Sequence, residues 1–137
     1  MVALINSYKS RGIIEHGKVG HRQLANIMCN TSIWAYPCTS LGETFCITAI
    51  KCQASGCIPV INRIAALNET VHPDAPSIPI LISIQQIEDY RKLLLDTLKR
   101  VEEDTTAERQ KYIEFAKKFT WSNSVNAWLS LYYQVTK

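Results

Sequence analysis

Apolar residues follow two different spacings along this chain, and the spacing changes near residue 84. Before that point, short runs of branched and aromatic residues predict strands, because such side chains suit the half-buried surface of a sheet. The predicted strands cover residues 13–16, 32–36, 58–61 and 80–84. Between them, apolar residues at helical spacing predict helices over residues 21–30 and 45–55, and Gly56 is placed to end the second helix.

Strand and helix thus alternate twice in the first part of the chain, which is typical of a parallel sheet with helices on its faces. We therefore expect an α/β fold with a Rossmann-like three-layer α/β/α arrangement and a mostly parallel sheet of about four strands. Residues 2–5 could extend or pack against this sheet. Residues 62–79 indicate a loop with a possible helical turn at 65–71, because three prolines among residues 72–79 oppose a regular element.

Only helical spacing remains after residue 84. Apolar residues at positions 87, 90, 94, 98 and 101 predict a long amphipathic helix over residues 85–103. Thr105 and Glu108 fit a capping box at the start of a second helix, in which Ile113, Ala116 and Phe119 can face the core. We expect these two helices to be antiparallel neighbours.

A last helix is predicted after Trp121, with Ser122 as its N-cap. Its apolar face consists of Val125, Trp128, Leu129 and Tyr132. Aromatic residues at helical spacing are usually buried, so we expect this face to lie in the core or in an interface.

Length and composition describe a folding domain. The chain has 137 residues, of which 47% are hydrophobic and 20% charged, and it contains no run of like charge. This length fits one ordinary domain or one half of a larger two-lobed protein. We expect a single, partial domain in which residues 1–84 form the sheet core and residues 85–137 a helical tail.

The net charge of the chain indicates which kind of ligand or partner to expect. A formal charge of +3 and a pI of about 8.6 are weakly basic. Nucleic-acid domains have a pI above about 9 with Lys and Arg clustered on one face, so a nucleic-acid partner is not expected. A small anionic ligand suits this balance better. No apolar stretch approaches the ~20 residues of a transmembrane helix, and we expect a cytoplasmic location, with peripheral membrane association left open.

The five cysteines indicate neither disulfides nor a metal site. They are Cys29, Cys38, Cys46, Cys52 and Cys57. Their number is odd and no two of them form a C-x-x-C pair, so buried, reduced thiols are expected rather than a zinc site or a disulfide framework. No cofactor is expected.

Polar residues after the predicted strands are the first candidates for a site, because the carboxyl ends of parallel strands line the ligand crevice of doubly wound sheets. They are His16, Lys18, His21, Thr39, Ser40, Glu43, Thr44, Asn62, Arg63, Asn68 and Glu69. Glu43 is the strongest candidate, since an acid just before a helix can accept hydrogen bonds from ligand hydroxyls. The alternative is that Glu43 only caps that helix. For Lys18, His21 and Arg63 the alternative is a solvated surface residue.

The order of several motifs resembles a known family. The chain reads EHGKVGHRQLANIMCNTSIWAYPCTSLGETFCITAIKCQASGCIPVI and then AALNETV. This order is similar to the C-terminal, donor-binding half of retaining GT-B glycosyltransferases of the glycogen-synthase-like, family-four type. That family reads strand, G-x-V, helix, strand, E-x-F-x-I, helix, P-V-V and A-L-x-E-x-V. The match covers residues 13–71, and FTWSNSVNAWLSLYYQV resembles the closing helix of the family.

The resemblance implies a truncated GT-B C-terminal half that binds a nucleotide-sugar donor, a UDP- or GDP-sugar. Glu43 matches the acid that holds the hydroxyls of the donor sugar. The segment after it matches the residues that meet the sugar and the diphosphate, namely Thr44, Phe45, Cys46 and Ile47. Gly17 and Val19 match the loop close to the nucleotide.

One position departs from the family pattern. Lys51 stands where the family has a second acid, which accepts hydrogen bonds from the ribose hydroxyls. An ammonium group donates hydrogen bonds but cannot accept them, so the usual ribose contact is changed at this nucleotide-binding position.

The resemblance implies no catalytic residue, cofactor or metal in this chain. The partner it implies is the N-terminal, acceptor-binding lobe, which is absent together with the basic pair that neutralises the donor diphosphate. We therefore expect very little transferase activity from the chain alone.

Two alternatives stay open. The chain could be a non-catalytic module that associates, for example as a homo-oligomer through an exposed sheet edge. It could also be a flavodoxin-like phosphate or nucleotide binder of unrelated function.

Overall fold

The computed structural model of the chain describes residues 2–79 and 83–136. Its helices are α1 (Val2–Tyr8), α2 (His21–Cys29), α3 (Ile47–Ala54), α4 (Leu67–Thr70), α5 (Ile84–Val101), α6 (Thr106–Ala116) and α7 (Trp121–Val135). Its strands are β1 (Ile33–Tyr36), β2 (Ile58–Asn62) and β3 (Ser77–Ile78). Short 3₁₀ turns cover Lys9–Arg11 and Lys117–Phe119. The chain therefore has an α/β fold.

The three described strands form an open parallel sheet in the order β1-β2-β3. Ile33 pairs with Ile58 at one end of the β1-β2 ladder, while β3 pairs only with the last two residues of β2. Every residue of β2 is buried. Pro59 is tolerated in this central strand because β3 begins beyond it, so the missing N–H has no acceptor to leave unpaired.

The predictions for strands 32–36 and 58–61 are confirmed by β1 and β2. The predicted strand at residues 13–16 is wrong, because this stretch is irregular and exposed, with Ile14 74% accessible. Branched residues form a strand only where a neighbouring strand completes the ladder, and none lies beside these residues in the described part of the chain. Val2 begins a helix rather than extending along the sheet.

The remaining strand prediction gives a mixed result. Residues 80–82 lie outside the described residues, and Ile84 starts α5 instead of ending a strand. A third strand occurs earlier, at Ser77–Ile78, in the stretch where prolines were expected to prevent any regular element. Pro76 and Pro79 flank it and keep it to two residues.

The core lies between β2 and the helices α3, α5 and α6. Tyr112 of α6 is fully buried, as are Ile58 and Ile61 of β2 and Leu67 of α4. The hydroxyl of Tyr90 on α5 donates to the Val60 carbonyl at 2.7 Å, which ties this helix to the central strand. Burial at this level stabilises a fold by about 1.5–3 kcal/mol for each large apolar side chain.

The helix starts differ from those predicted. Thr105 precedes α6, but its side chain caps no backbone N–H, and Asp104 accepts from the Thr106 amide instead. A complete capping box starts α5, where Ser83 and Gln86 exchange hydrogen bonds. Thr120, rather than Ser122, caps α7 through the Asn123 amide.

The last helix forms as predicted but does not enter the core. All residues described in α7 are exposed, including Trp121 at 87% and Trp128 at 75%. Of the two expected locations for this aromatic face, the core is therefore wrong, and an interface stays a prediction.

Candidate functional site

A loop of ten residues, 37–46, joins β1 to α3, and a buried side chain fixes its beginning. The Cys38 amide donates to Asn62 Oδ1 at 2.7 Å, and Asn62 Nδ2 donates to the Cys38 carbonyl at 2.6 Å. Asn62 is fully buried at the end of β2. The loop therefore leaves the carboxyl end of the sheet at a defined position.

Glu43 fixes the second half of this loop. Its Oε1 accepts from the Cys46 amide at 3.0 Å, and its Oε2 accepts from the Tyr36 hydroxyl at 3.4 Å. Its carbonyl accepts from the Ala66 amide at 3.2 Å, which connects the loop to the turn before α4. Glu43 thus binds the amide of Cys46, the residue before α3, rather than an amide of the helix itself, and its carboxylate keeps capacity for further hydrogen bonds.

Two residues at or next to the groups that bind Glu43 have a strained backbone. Cys46, at φ 54° and ψ 65°, is the N-cap of α3, and Ala65 has φ 44°. Among the described residues, these two alone are non-glycine residues with positive φ. Such conformations cost about 1–3 kcal/mol and are concentrated at functional sites.

The left-handed turn at Cys46 leaves the start of α3 open. Cys46 has no side-chain cap, and the Ala49 amide donates to its carbonyl at 2.9 Å. Within residues 2–79 and 83–136, no protein group accepts a hydrogen bond from the amides of Ile47 and Thr48. Free amides at a helix start attract anionic groups.

Glu43 and the start of α3 line one groove of about 350 Å³. Its lining residues are Trp34, Tyr36, Glu43, Thr44, Phe45, Cys46, Ile47 and Thr48. The rings of Trp34 and Tyr36 form one wall, stacked with centroids 5.0 Å apart and planes 13° apart. Ligand pockets span about 300–1,000 Å³, so this groove has the volume of a small-molecule site.

Two groups of the groove, the Tyr36 hydroxyl and the Cys46 thiol, stay protonated at neutral pH because the pKa of each is raised. Desolvation, followed by the nearby Cys38 and Cys46, raises the pKa of Tyr36 to about 12. Burial also raises the pKa of the Cys46 thiol. The Tyr36 hydroxyl therefore remains a hydrogen-bond donor, and Cys46 is not an activated nucleophile.

The structure brings together five of the eight predicted site residues. Lys51 instead lines a second groove of about 370 Å³ between α2 and α3. His21, Leu24, Ala25, Met28, Ala54 and Ser55 complete that groove. Gly17, with φ +62°, and Val19 lie in the irregular segment before α2 and line neither groove.

Two of the polar candidates have structural roles. Asn62 holds the loop, as described above, and Arg63 binds backbone rather than solvent. The Arg63 guanidinium donates to the carbonyls of Leu67, Val71, His72 and Pro73 and to the Ser77 hydroxyl. Burial lowers the pKa of Arg63. The exposed candidates are Thr44 in the groove and, outside it, His16, Lys18, His21, Thr39, Ser40, Asn68 and Glu69.

Sequence reasoning missed Trp34, Tyr36 and Thr48 as groove residues. A signal for the first two was available, because residues two apart in a strand lie on one face, and β1 ends next to the Glu43 loop. The position of Thr48 follows only from where α3 begins.

Four of the cysteines are buried as expected, while Cys29 is exposed, and all five are free. In the described part of the chain, no group of three or more His, Cys, Asp or Glu side chains is placed to hold a metal ion. None of the described helices has the length and apolar content needed to cross a bilayer.

Comparison with protein-family models, with curated proteins and with solved structures finds no match to this chain.

Proposed function

We propose that the Glu43 groove binds the sugar and diphosphate of a nucleotide-sugar donor, a UDP- or GDP-sugar. The chain would be the C-terminal, donor-binding part of a retaining glycosyltransferase with a Rossmann-like GT-B fold. The observation that carries this proposal is the position of the Glu43 carboxylate beside the open start of α3. An acceptor for hydroxyl groups thus lies next to donors for phosphate oxygens.

Each part of the ligand has a matching protein group. Glu43 uses one hydrogen bond at each oxygen, which leaves lone pairs for the hydroxyls of a sugar. The amides of Ile47 and Thr48 are free to donate to the diphosphate. The stacked rings of Trp34 and Tyr36 offer an apolar wall to the carbon face of the sugar ring.

The same arrangement suits the transfer step. As the sugar leaves, negative charge develops on the diphosphate, and the partial positive charge at the start of α3 stabilises that charge. The acceptor would bind to an N-terminal lobe, so the isolated chain would bind donor without transferring its sugar.

Five free cysteines are compatible with action in the reducing cytoplasm.

The nucleoside would extend beyond the groove, towards Gly17, Val19 and Lys51. Lys51 is exposed beside α2 and presents an ammonium group where the family has an acid. A cation there would donate to nucleotide oxygens instead of accepting from ribose hydroxyls.

Calorimetric titration with UDP, GDP and their sugars tests this proposal. We expect Glu43→Gln to weaken binding of the nucleotide sugar about 10-fold, which corresponds to one charge-assisted hydrogen bond, with little change for the free nucleotide. Glu69→Gln, an exposed acid on α4, is the matched control and should bind as wild type. Absence of heat with every ligand would overturn the proposal.

A second candidate function is a non-catalytic association module. The observation that favours it is the position of β1, which pairs with β2 on one side and has no described strand on its other side. Unpaired strand edges are ready sites for pairing with another chain. Light scattering separates the two candidates, because a monomer that binds nucleotide excludes association and an oligomer without nucleotide binding supports it.

A further inference from the structure

Helix α7 is unlike the other long helices of this chain because it carries no charged residue. Its sequence, WSNSVNAWLSLYYQV, contains no Asp, Glu, Lys or Arg over 15 residues. All 15 residues are exposed. Apolar side chains at steps of four, three, one, three and three residues form a single stripe along it. They are Trp121, Val125, Trp128, Leu129, Tyr132 and Val135.

The opposite face of α7 is polar but uncharged. It presents Ser122, Asn123, Asn126, Ser130 and Gln134. The helix is therefore amphipathic, with an aromatic stripe that no other described part of the chain covers.

The exposed apolar area is large for a protein of this size. Of the aromatic residues in the stripe, Trp121 is 87% accessible, Trp128 is 75% and Tyr132 is 61%. With the aliphatic side chains of the stripe, these residues expose on the order of 700 Å² of side-chain surface, taking about 150–250 Å² for each aromatic. The largest apolar patch on a typical monomer is about 300–600 Å², and a standard interface buries about 800 Å² per partner.

The absence of charge identifies the kind of partner. Helices that lie in a membrane surface carry Lys and Arg on their polar face, and α7 carries neither. Protein interfaces are enriched in Trp and Tyr and depleted of charge at their centre, which describes α7. In a symmetric dimer the residues near the two-fold axis meet their own copies, so a charge at the centre of the stripe would oppose an identical charge. A charge-free stripe avoids that repulsion.

We propose that α7 is a dimerisation helix that pairs antiparallel with α7 of a second copy of this chain. Trp128, near the middle of the helix, would lie at the two-fold axis, and Trp121 would face the partner's Val135. This dimer goes beyond donor binding and uses a surface separate from the edge of β1.

The charges next to the helix favour the antiparallel direction. Lys117 and Lys118 precede α7, and positive charge at the start of a helix opposes its dipole. Lys117 is already paired with Glu114 at 2.6 Å, whereas Lys118 lies over the Phe115 ring at 4.6 Å. Antiparallel pairing places Lys118 beside the negative, C-terminal end of the partner's helix. Parallel pairing would bring the lysines of both copies together.

Sedimentation equilibrium of the full chain across micromolar to millimolar concentrations tests the dimer. We expect wild type to dimerise and Trp128→Glu to raise the Kd at least about 30-fold, as for loss of an interface hot spot. Ser130→Glu, on the polar face of the same helix, is the matched control and should dimerise as wild type. Circular dichroism verifies that both variants keep their helix content, and Tyr132→Glu provides a second variant on the stripe.

Three results would overturn the proposal. One is a monomeric wild type, including a monomer that instead co-sediments with vesicles of anionic lipid. Another is a dimer that persists in both Trp128→Glu and Tyr132→Glu, because the interface would then lie elsewhere, as at the edge of β1. The third is an equal effect of Ser130→Glu. Donor titration with the monomeric variant keeps this test separate from the proposed function, because the Glu43 groove is unchanged.

Cysteine cross-linking tests the direction of the helices. In a Cys29→Ser background, which removes the exposed thiol, Trp121→Cys and Val135→Cys are prepared separately and each is verified to dimerise. We expect a disulfide between the two variants when they are mixed. A disulfide that forms within Trp121→Cys alone would show parallel pairing and overturn the antiparallel arrangement.

Discussion

The side-chain amide of Asn62 binds both backbone groups of Cys38, accepting from its N–H at 2.7 Å and donating to its carbonyl at 2.6 Å. Asn62 ends the central strand, and Cys38 lies at the start of the loop that carries Glu43. Both residues are buried, so water does not compete for these hydrogen bonds. One side chain thus positions the candidate site relative to the sheet.

Replacing this side chain tests that role. Asn62→Ala leaves the Cys38 amide and carbonyl without partners in the core, and we expect the free energy of unfolding to fall by about 2–4 kcal/mol. Asn126→Ala, on the exposed polar face of α7, should change it by less than about 0.5 kcal/mol. Urea denaturation measures both values. Equal effects of the two substitutions would contradict the role of Asn62.

Tyr90 should make stability depend on alkaline pH. Burial raises its pKa to about 12, while an unfolded tyrosine ionises near pH 10. The folded chain therefore keeps a proton that the unfolded chain loses. The stabilisation is complete below about pH 10 and is lost as the pH rises towards 12.

Comparison with Tyr90→Phe isolates this effect. At pH 7 the variant should be less stable by about 1 kcal/mol, because it lacks the hydrogen bond to Val60. As the pH rises from about 10 to 12, wild type should lose this advantage, whereas other tyrosines affect both proteins alike. Urea denaturation at each pH measures the difference, and a difference that stays constant would refute the assignment.

Arg63 should not tolerate replacement by lysine. Its guanidinium donates to four backbone carbonyls, one in α4 and three in the loop that follows it, an arrangement that a single ammonium group cannot reproduce. We expect Arg63→Lys to destabilise the fold by about 2–3 kcal/mol. Arg22→Lys, an exposed residue of α2, is the control and should be neutral. Thermal unfolding of the pair gives the comparison.

Gly56 should be required at the end of α3. It has φ +78°, and the Cys57 amide donates to the Cys52 carbonyl at 3.0 Å in the C-terminal turn. Gly56→Ala should cost about 1–2 kcal/mol, because a side chain opposes this left-handed conformation. Gly20, the N-cap of α2, has φ −72° and open space at its Cβ position, so alanine there should lose only the preference for glycine over alanine at an N-cap and cost less than at Gly56. Chemical denaturation of both variants tests this difference.

The candidate site was partly predictable from sequence. Glu43 could be found because it is a lone acid between a strand and a helix, whereas Phe45, Cys46 and Ile47 were predicted only through the family resemblance. Tyr36 could not be identified as its hydrogen-bond partner, because that contact depends on how the loop folds back over β1. Arg63 could not be assigned its role from sequence. Its position after a strand suggested contact of the side chain with solvent or a ligand, and only the fold brings backbone carbonyls such as that of His72 to its guanidinium.

The sequence by itself determined where most helices and the two longer strands lie, and that Gly56 ends α3, because these features depend on local periodicity and on backbone preferences. Tertiary structure decided which apolar stretches are buried. Residues 13–16 have strand-forming side chains but no neighbouring strand, and α7 has a core-like stripe that no other described element covers. The tertiary structure also places Ser77–Ile78 beside the end of β2. The backbone groups of β2 are free there, so the two residues form a strand with β2 despite the flanking prolines. Burial and pairing require two surfaces, and a local sequence pattern describes only one of them.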